Sequence, residues 1–358
     1  MRIQLVGYAL ALFASTLLLA CEADKQISEK ASDPQPQSDI NIEQASQSLW
    51  ASFRENTEDA SLHCGFLQHA INQLLTKSQL ETLYAAQKAW HNCANKIEDL
   101  NLLTQLNLLE PSLFQSIDNS LVYINSKPIQ GGYLDRFGPY LYSGLVHDIG
   151  INLNSESLRH QHGLTDKEEV VLGIYAIEFM LFGEQGSRPP NDYLEQKTLS
   201  ETQQHQQFRS IDEVPNNRRR QLLLLQSQLL NQELLLLQEK LQADKSPANV
   251  WPKLPARQQI NSVHNAVTTS LSQSLIQLSQ NYSTNNETID SYFFENLHAQ
   301  LYSLNPALNY YSTHERQALK QALEQAQSLA HKASISPQTK TQKQQLLEKI
   351  YTLMQVFI

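Results

Sequence analysis

The sequence has few of the residues that mark β-rich, disulfide-rich or zinc-finger proteins. Its 358 residues include 3 cysteines, 11 glycines and 3 methionines, and strand-like alternations of valine, threonine and isoleucine are sparse. No basic patch stands out, since 27 lysines and arginines face 36 aspartates and glutamates, for a net charge of −9. This balance argues against nucleic acid as a partner. Leucine, glutamine, alanine, glutamate and serine are plentiful instead, which is the composition of helices.

One long apolar run is present, at the N-terminus, where Arg2 precedes a stretch that ends in Leu-Leu-Ala before Cys21. A basic start, a short apolar core and small residues at the cut are typical of a secretory signal. A cysteine directly after Leu-Leu-Ala is typical of bacterial lipoproteins, although an ordinary signal with an incidental cysteine is the alternative. We therefore expect residues 1–20 to be removed and Cys21 to be lipidated.

The residues that follow Cys21 are polar, contain prolines and include no aromatic side chain. We expect residues 21–45 to form a disordered tether between a membrane and the folded part of the chain. The predicted location is the periplasm, with the lipid in a membrane. The outer membrane is favoured, because residue 22 is glutamate and not the aspartate associated with retention at the inner membrane.

Two cysteines remain for a disulfide, which an exported protein can keep. Lys77 and Ser78 form the predicted turn between the first two helices, and Cys64 precedes that turn by about as many residues as Cys93 follows it. In an antiparallel hairpin, both cysteines then lie about 20 Å from the turn. The spacing favours a Cys64–Cys93 bridge, and two buried free thiols are the alternative.

Apolar periodicity and capping signals predict helices over most of the remaining chain. A capping box at 78–81 opens the second helix, another at 165–168 opens a helix that Gly183 ends, and the Leu/Gln-rich stretch after Pro215 indicates a central helix buried on most sides. The fold class is therefore all-α, in two packed antiparallel four-helix bundles, residues 46–200 and 201–358. The predicted helices are 46–76, 78–96, 98–109, 111–125, 166–182, the one from 215, 254–281, 286–303, 312–333 and 338–357.

Two segments do not follow the helical pattern. Residues 129–150 combine glycine with Tyr133, Phe137, Tyr140 and Tyr142, and we expect a loop with four aromatic residues to be ordered and packed against the protein. Residues 184–210 are polar and contain two adjacent prolines, which predicts a linker or an exposed excursion.

Glu178 is a single carboxylate within an apolar stretch from Val170 to Phe182, which is too short to cross a bilayer. Tyr175 lies one turn before it on the same helix face. Glu178 is either neutral or paired in the core, part of a ligand site, or a general acid or base whose pKa burial has raised. No other catalytic motif competes, and the spacing of His160 and His162 indicates surface positions.

Three blocks of sequence resemble the imelysin-like proteins, exported bacterial proteins that include insulin-cleaving membrane proteases and iron-regulated lipoproteins. The blocks are LDRFGPYLYSGLVHDI, LRHQHGLTDKEEVVLGIYAIEFMLFGE and NNRRRQLLLLQSQLLNQELLLLQEKL. The resemblance implies two four-helix bundles with a metal bound at their interface by a Gly-x-His-x-x-Glu motif. In the present sequence Gly173 and Glu178 match, and Tyr175 replaces the histidine. A phenol is a weak ligand until it is deprotonated, so a zinc hydrolase is disfavoured, while an oxygen-rich iron site or loss of the metal stays open.

The resemblance also supplies the other candidate residues. Asp135 and His147, in the aromatic loop, are the expected partners of Glu178 and Tyr175 in a metal site. Four further residues are expected to bind or neutralise charge around that site: Arg136, Trp90, Asp148 and Glu184. The alternatives are loop-stabilising hydrogen bonds for Asp135 and Arg136, and a packed or surface position for His147. Trp90 is otherwise a core residue, and Glu184 is otherwise solvated.

The first functional hypothesis is a non-catalytic, lipid-anchored imelysin-like protein that binds iron or another ligand at the bundle interface. It would act in metal acquisition together with iron-uptake proteins. The alternatives are a metallopeptidase of the imelysin type and a binding or scaffolding module for an organic ligand or a partner protein.

Overall fold

Helices make up almost all regular structure in the computed structural model, which describes residues 39–127, 129–205, 208–283, 291–335 and 340–357. The signal sequence, Cys21 and most of the tether lie outside these residues. Within them, the isolated bridge between Phe137 and Tyr140 is the sole β-type pairing. The prediction of an all-α fold is confirmed.

Short turns and 3₁₀ segments join the helices, which are numbered in chain order. They are α1 (Ile42–Thr76), α2 (Leu80–Glu98), α3 (Asn101–Leu109), α4 (Pro111–Phe114), α5 (Asp118–Asn125), α6 (Gly131–Leu134), α7 (Ser155–Gln161), α8 (Ile174–Phe182), α9 (Glu201–His205), α10 (Pro215–Gln242), α11 (Pro247–Val250), α12 (Ala256–Ser283), α13 (Ser291–Tyr302), α14 (Thr313–Ile335) and α15 (Lys340–Met354).

The hairpin of α1 and α2 is the frame on which the candidate site is built. Asn41 caps α1 by accepting a hydrogen bond from the backbone N–H of Gln44, and α1 buries an apolar stripe along its whole length. Cys64 and Cys93 are joined by a disulfide with a Cα–Cα distance of 4.7 Å. This bond ties the middle of α1 to the part of α2 that leads to its C-terminal residue, Glu98.

Helix α10 is the central helix that its leucine content predicts, and it packs against α1, α5 and α8. In the second half of the chain α13 packs on α14, and α14 on α15. Contacts between α3 and α12 and between α2 and α13 join the two halves. Residues 39–358 form one compact unit, and its division into two four-helix bundles stays a prediction. None of the described helices is long and apolar enough to cross a bilayer.

The helix predicted at 166–182 is much shorter in the structure, where α8 begins only at Ile174. Gly173 has φ of +95°, and a Cβ there would lie 2.8 Å from the carbonyl oxygens of Tyr123 and Ile124. This left-handed glycine, pressed against α5, interrupts the helical backbone. The apolar residues before it are buried without being helical, so their apolar composition wrongly predicted a helix.

Two other helix predictions differ in detail. Helix α2 begins after Gln79, whose backbone N–H donates to the Thr82 hydroxyl, while Ser78 donates instead to the backbone oxygens of Leu74 and Tyr193. The predicted capping box is therefore not the one used. The predicted helices at 98–109 and 111–125 are divided into α3, α4 and α5.

The prediction of a linker or exposed excursion at 184–210 is wrong for three residues of its first half, although most of the others there are exposed. Arg188, Asp192 and Tyr193 are buried, and the hydroxyl of Tyr193 donates to the backbone oxygen of Met180. Part of the polar composition of this segment therefore reflects buried ion pairs, and the rest reflects exposure to solvent.

The aromatic loop at 129–150 does not pack in the expected way. Tyr140 and Tyr142 are 71% and 83% exposed, and Phe137 is exposed as well. Tyr133 packs against the core, and its hydroxyl donates to Gln161 Oε1 over 2.6 Å. The loop is held mainly through its backbone, because the buried guanidinium of Arg218 donates to four carbonyl oxygens at its C-terminal end.

Candidate functional site

Tyr175 and Glu178 lie one turn apart on α8, the short helix between α2, α5 and α10. Glu178 is half-buried, and its carboxylate has no hydrogen-bond or ion-pair partner among the described residues. Burial raises the pKa of Glu178 to about 7, although the charge of Lys127 acts in the opposite direction. Glu178 therefore titrates near neutral pH, where it can gain or lose a proton.

The hydroxyl of Tyr175 points to the end of α2. It donates a 2.6 Å hydrogen bond to Oε1 of Glu98, which is 2% exposed. The other oxygen of Glu98 accepts a hydrogen bond of 3.2 Å from Nε2 of Gln300 on α13. Burial and the nearby charge of Glu98 raise the pKa of Tyr175 well above its usual value of 10, so the phenol keeps its proton.

Lys127, just beyond α5, completes the cluster. Its ammonium donates to the Tyr175 hydroxyl oxygen over 3.2 Å, lies 3.6 Å from Glu98 Oε1 and stands 5.0 Å from the centre of the Tyr175 ring. A single cation thus faces a phenol and a buried carboxylate, and its field also reaches Glu178. We call Glu98, Lys127, Tyr175 and Glu178 the motif cluster.

A groove of about 870 Å³ adjoins the motif cluster, with Glu98 and Lys127 in its wall. It lies between α3 and α5 on one side and α12 and α13 on the other, where the two halves of the chain meet. Amide and hydroxyl side chains line it together with Leu108, Leu121 and Val122, and most of its accessible surface is apolar. Its polar and charged lining includes Asn101, Gln105, Asn107, Asn125, Lys167, Gln273 and Gln300.

His162 lies in the wall of the groove and is not the surface residue that its spacing indicated. Its Nδ1 accepts hydrogen bonds from the backbone N–H groups of Val171 and Leu172, and its Nε2 lies 3.1 Å from the Ser126 hydroxyl. Burial lowers the pKa of His162. These contacts hold a neutral ring whose role is to fix the segment that leads into α8.

The donors of the motif cluster do not fit a metal ion. Tyr175 keeps its proton and donates it to Glu98, so it has no phenolate to offer, and the ammonium of Lys127 repels a second cation. Among the residues that the structure describes, no three side chains of histidine, cysteine, aspartate or glutamate are grouped to hold a metal. A stable transition-metal site normally uses three or four such ligands.

The family of the chain follows from its sequence over the same region. The profile of the Imelysin peptidase family matches residues 65–353, a span that includes α8, the motif cluster and the groove. The chain belongs to the imelysin family. No curated protein sequence matches the chain.

In this imelysin, the other candidate ligands are in a different network from Glu178. Asp135 is fully buried. Its Oδ2 accepts from Arg188 at 2.7 Å and from Arg219 at 2.6 Å, and its Oδ1 accepts from Arg219 at 3.0 Å. His147 Nε2 lies 3.4 Å from Oδ1. Burial alone would raise the pKa of Asp135, but the proximity of His147, the hydrogen bonds from Arg219 and the charges of both arginines hold it well below its usual range.

Arg136 does not neutralise Glu178 either. Its guanidinium donates to Asp192 Oδ2 over 2.7 Å, and Asp192 also accepts from Arg188. Together with Asp135 and Arg219, these residues join the aromatic loop, the segment at 184–194 and α10. The charged residues of these sequence blocks therefore form a buried network of ion pairs. We call Asp135, Arg136, Arg188, Asp192 and Arg219 the Asp135 clamp.

The last three predicted binding residues support structure around the site. Trp90 is buried and its indole N–H donates to the backbone oxygen of Ile174 over 2.8 Å, which fixes the first turn of α8. Asp148 and Glu184 accept hydrogen bonds from the backbone N–H groups of Gly150 and Gly138. Neither Trp90, Asp148 nor Glu184 lines the groove.

Sequence reasoning missed Glu98, Lys127 and Gln300. Glu98 had a usable signal, because it follows Trp90 and Ala94 at intervals of four and so continues the buried face of α2. No pattern in the sequence identifies Lys127 and Gln300, since their positions beside Tyr175 depend on contacts between helices that are far apart in the sequence.

Proposed function

We propose that this imelysin is a non-catalytic binding protein that takes an organic ligand in the groove between the two halves of the chain. The observation that carries the proposal is the position of Lys127. Its ammonium meets Tyr175 and Glu98 at the edge of the groove, so the motif cluster has a positive charge of its own. The cluster is then the polar end of a ligand site.

A peptidase is the weaker hypothesis for this arrangement. A metal-dependent hydrolase needs a metal with an open position for a polarised water, and the donors available beside Glu178 do not fit one. Glu178 has a pKa suited to proton transfer, but the ammonium of Lys127, which could polarise the carbonyl of a substrate, already contacts Glu98 and Tyr175.

Metal acquisition is the second candidate, and one observation favours it. The carboxylate of Glu178 is half-buried without a partner in the described part of the chain, and such a group is an available oxygen ligand. Against this stand the retained proton of Tyr175 and the charge of Lys127. Elemental analysis of the purified protein for iron, zinc and copper tests this candidate directly.

The cellular location and the membrane anchor of the protein are also proposals. We propose that Cys21 carries the lipid and that the domain faces the periplasm from the outer membrane, where uptake proteins would receive the ligand. The Leu-Leu-Ala-Cys signal and the polar stretch after it support this view. If mass spectrometry of the wild-type N-terminal peptide shows an unmodified Cys21, the anchor is wrong.

The binding proposal is tested by releasing and identifying small molecules from protein purified from its native compartment. Wild type is compared with Asn125→Ala, which removes a side chain from the groove wall, and with Asn92→Ala, an exposed asparagine of α2 that lies outside the groove. We expect an organic molecule with wild type and Asn92→Ala and less of it with Asn125→Ala. Equal amounts in all three would contradict binding in the groove.

A further inference from the structure

The outermost part of the aromatic loop is an exposed apolar surface. Residues 137–142, with the sequence FGPYLY, are all exposed and none of them is charged. Four of the six have large apolar or aromatic side chains that solvent reaches, namely Phe137, Tyr140, Leu141 and Tyr142. Contiguous apolar patches on a protein surface often mark an interaction site. We call residues 137–142 the loop tip.

The turn at 137–140 leaves no backbone N–H group unpaired. Phe137 and Tyr140 donate to each other's carbonyl oxygens over 3.2 and 3.0 Å. The N–H of Gly138 donates to Glu184 over 2.7 Å, and Pro139 has no N–H. Moving an unpaired backbone N–H from water into an apolar phase is costly. The turn avoids that cost, so it is suited to an environment with little water.

The base of the loop is fixed to the rest of the protein. Gly144 has φ of +81°, and a Cβ there would lie 2.4 Å from the backbone carbon of Leu134. The N–H of Val146 donates to the carbonyl oxygen of Leu134 over 3.1 Å, and Arg218 holds the carbonyl groups that follow. Because the backbone is already ordered, docking of the loop tip costs little conformational entropy.

The size of the loop tip favours a bilayer over a second protein as its partner. An aromatic side chain can bury about 150–250 Å², so the loop tip offers on the order of 500 Å². A stable protein interface buries about 800 Å² on each partner, which is more than the loop tip provides. A bilayer needs no complementary pocket, and tyrosine, phenylalanine and leucine are typical of segments that enter its interfacial region.

A cation lies beside the loop tip, at the depth where lipid phosphates would meet it. Arg136 and Glu184 line a small cleft next to the tip. One guanidinium nitrogen of Arg136 donates to Asp192, while its Nε and Nη1 have no partner among the described residues. The carboxylate of Glu184 already accepts from Gly138. Guanidinium groups are well suited to phosphate, so the tip and Arg136 together match the apolar and anionic layers of a phospholipid surface.

A lipid at Cys21 would let the loop tip touch the membrane that holds the chain. The loop lies near the C-terminal end of α1, because Arg220 donates to the carbonyl oxygen of Leu75 while the adjacent Arg219 binds Asp135. Helix α1 has 35 residues and is therefore about 50 Å long. Residues 21–38, which precede it, can span at most about 60 Å, which is enough to cover the length of α1.

We propose that the loop tip docks on a phospholipid bilayer. Tyr140, Leu141 and Tyr142 enter the interfacial region, and Arg136 contacts the lipid phosphates. The docking surface is separate from the groove, so this inference goes beyond the proposed function and does not depend on it.

Co-sedimentation with vesicles of phosphatidylethanolamine and phosphatidylglycerol tests the proposal on the mature chain from Glu22, which carries no lipid. We expect wild type to bind and Tyr140→Ser/Tyr142→Ser to bind about tenfold more weakly. Arg136→Gln should weaken binding about threefold. Tyr84→Ser/Tyr351→Ser removes two tyrosines that are exposed on α2 and α15, and it should bind as wild type does.

Tryptophan fluorescence gives a second measurement that keeps the loop tip apolar. The three native tryptophans are buried and add the same background to every variant. In vesicles of brominated phosphatidylcholine, we expect quenching of Tyr142→Trp and none of Tyr84→Trp, because only the first places its indole in the bilayer.

Three outcomes would overturn the proposal. If wild type does not sediment with the vesicles and Tyr142→Trp is not quenched, the loop tip does not dock on lipid. If Tyr140→Ser/Tyr142→Ser binds as tightly as wild type, another surface contacts the vesicles. If wild type ignores vesicles but forms a dimer that the double variant cannot form, the loop tip is an interface between copies of the chain. None of these outcomes affects the binding function proposed for the groove.

Discussion

Tyr175 donates a 2.6 Å hydrogen bond to Glu98, and this pairing decides what the family motif can do in this chain. A histidine at position 175 would offer a nitrogen lone pair to a metal. The phenol instead binds the buried carboxylate of α2 and accepts a hydrogen bond from Lys127. Tyr175 thus lies between a buried carboxylate and a partly exposed cation.

Removing that cation should change the titration of its neighbours. In Lys127→Met we expect the pKa of Glu178 to rise above its value of about 7, because the charge of Lys127 is what lowers it. Carbon-13 NMR of the glutamate carboxyl groups measures the shift. Lys88→Met, at an exposed position on α2, is the matched control and should leave the resonance unchanged. A pKa that stays the same in Lys127→Met would mean that the two groups do not interact.

Glu178 should make the stability of wild type depend on pH in a defined direction. Its pKa is raised from 4.5 to about 7 on folding, so the folded state binds the extra proton between these values. Stability therefore falls as the pH rises through this window. At pH 8 we expect Glu178→Gln to be more stable than wild type by about 1–2 kcal/mol, less than the full pKa shift implies because the half-buried side chain is partly screened by solvent, and at pH 4 the difference should disappear. Denaturant unfolding at both pH values is the measurement, and a destabilised variant at pH 8 would contradict this account.

Substitutions in the Asp135 clamp should lower the stability of the fold without affecting ligand binding. Asp135→Asn leaves two buried arginines without their counter-charge, and we expect a loss of about 3–5 kcal/mol. Arg136→Gln removes a partly exposed partner and should cost at most about 1 kcal/mol. Since the pKa of Asp135 is lowered on folding, the contribution is present above the unfolded value of 3.8 and is lost as the pH falls below it.

Chemical denaturation of these two variants distinguishes the clamp from a binding role. If Asp135→Asn unfolds at the same denaturant concentration as wild type but loses the native ligand, Asp135 belongs to a binding site and the structural explanation is wrong.

The sequence predicted those features that depend on residues close together in the chain. Apolar spacing located α1 and α10, and the positions of Cys64 and Cys93 on either side of one turn predicted a bridge that the structure contains. The pair of Tyr175 and Glu178 could be recognised because both lie on one turn of one helix. The left-handed backbone of Gly173 could not be predicted from the sequence, since it depends on the approach of α5 to that residue.

The site beyond that pair depends on contacts between distant segments. Asp135 and Arg136 were expected beside Glu178 because they are chemically suitable, but Arg188, Arg219 and Asp192 hold them elsewhere. Those partners come from a segment predicted as exposed and from a helix recognised by its leucines. Polar composition alone does not distinguish a solvated segment from a buried ion-pair network.

The most direct test of the central claim is metal binding at the motif cluster. Calorimetric titrations with zinc and iron compare wild type, Tyr175→His and the double variant Tyr175→His/Lys127→Met. We predict no stoichiometric binding to wild type or to Tyr175→His, because Lys127 remains, and a new site in the double variant. Stoichiometric binding to wild type that Glu178→Gln abolishes would contradict the claim and would make the motif cluster a metal site.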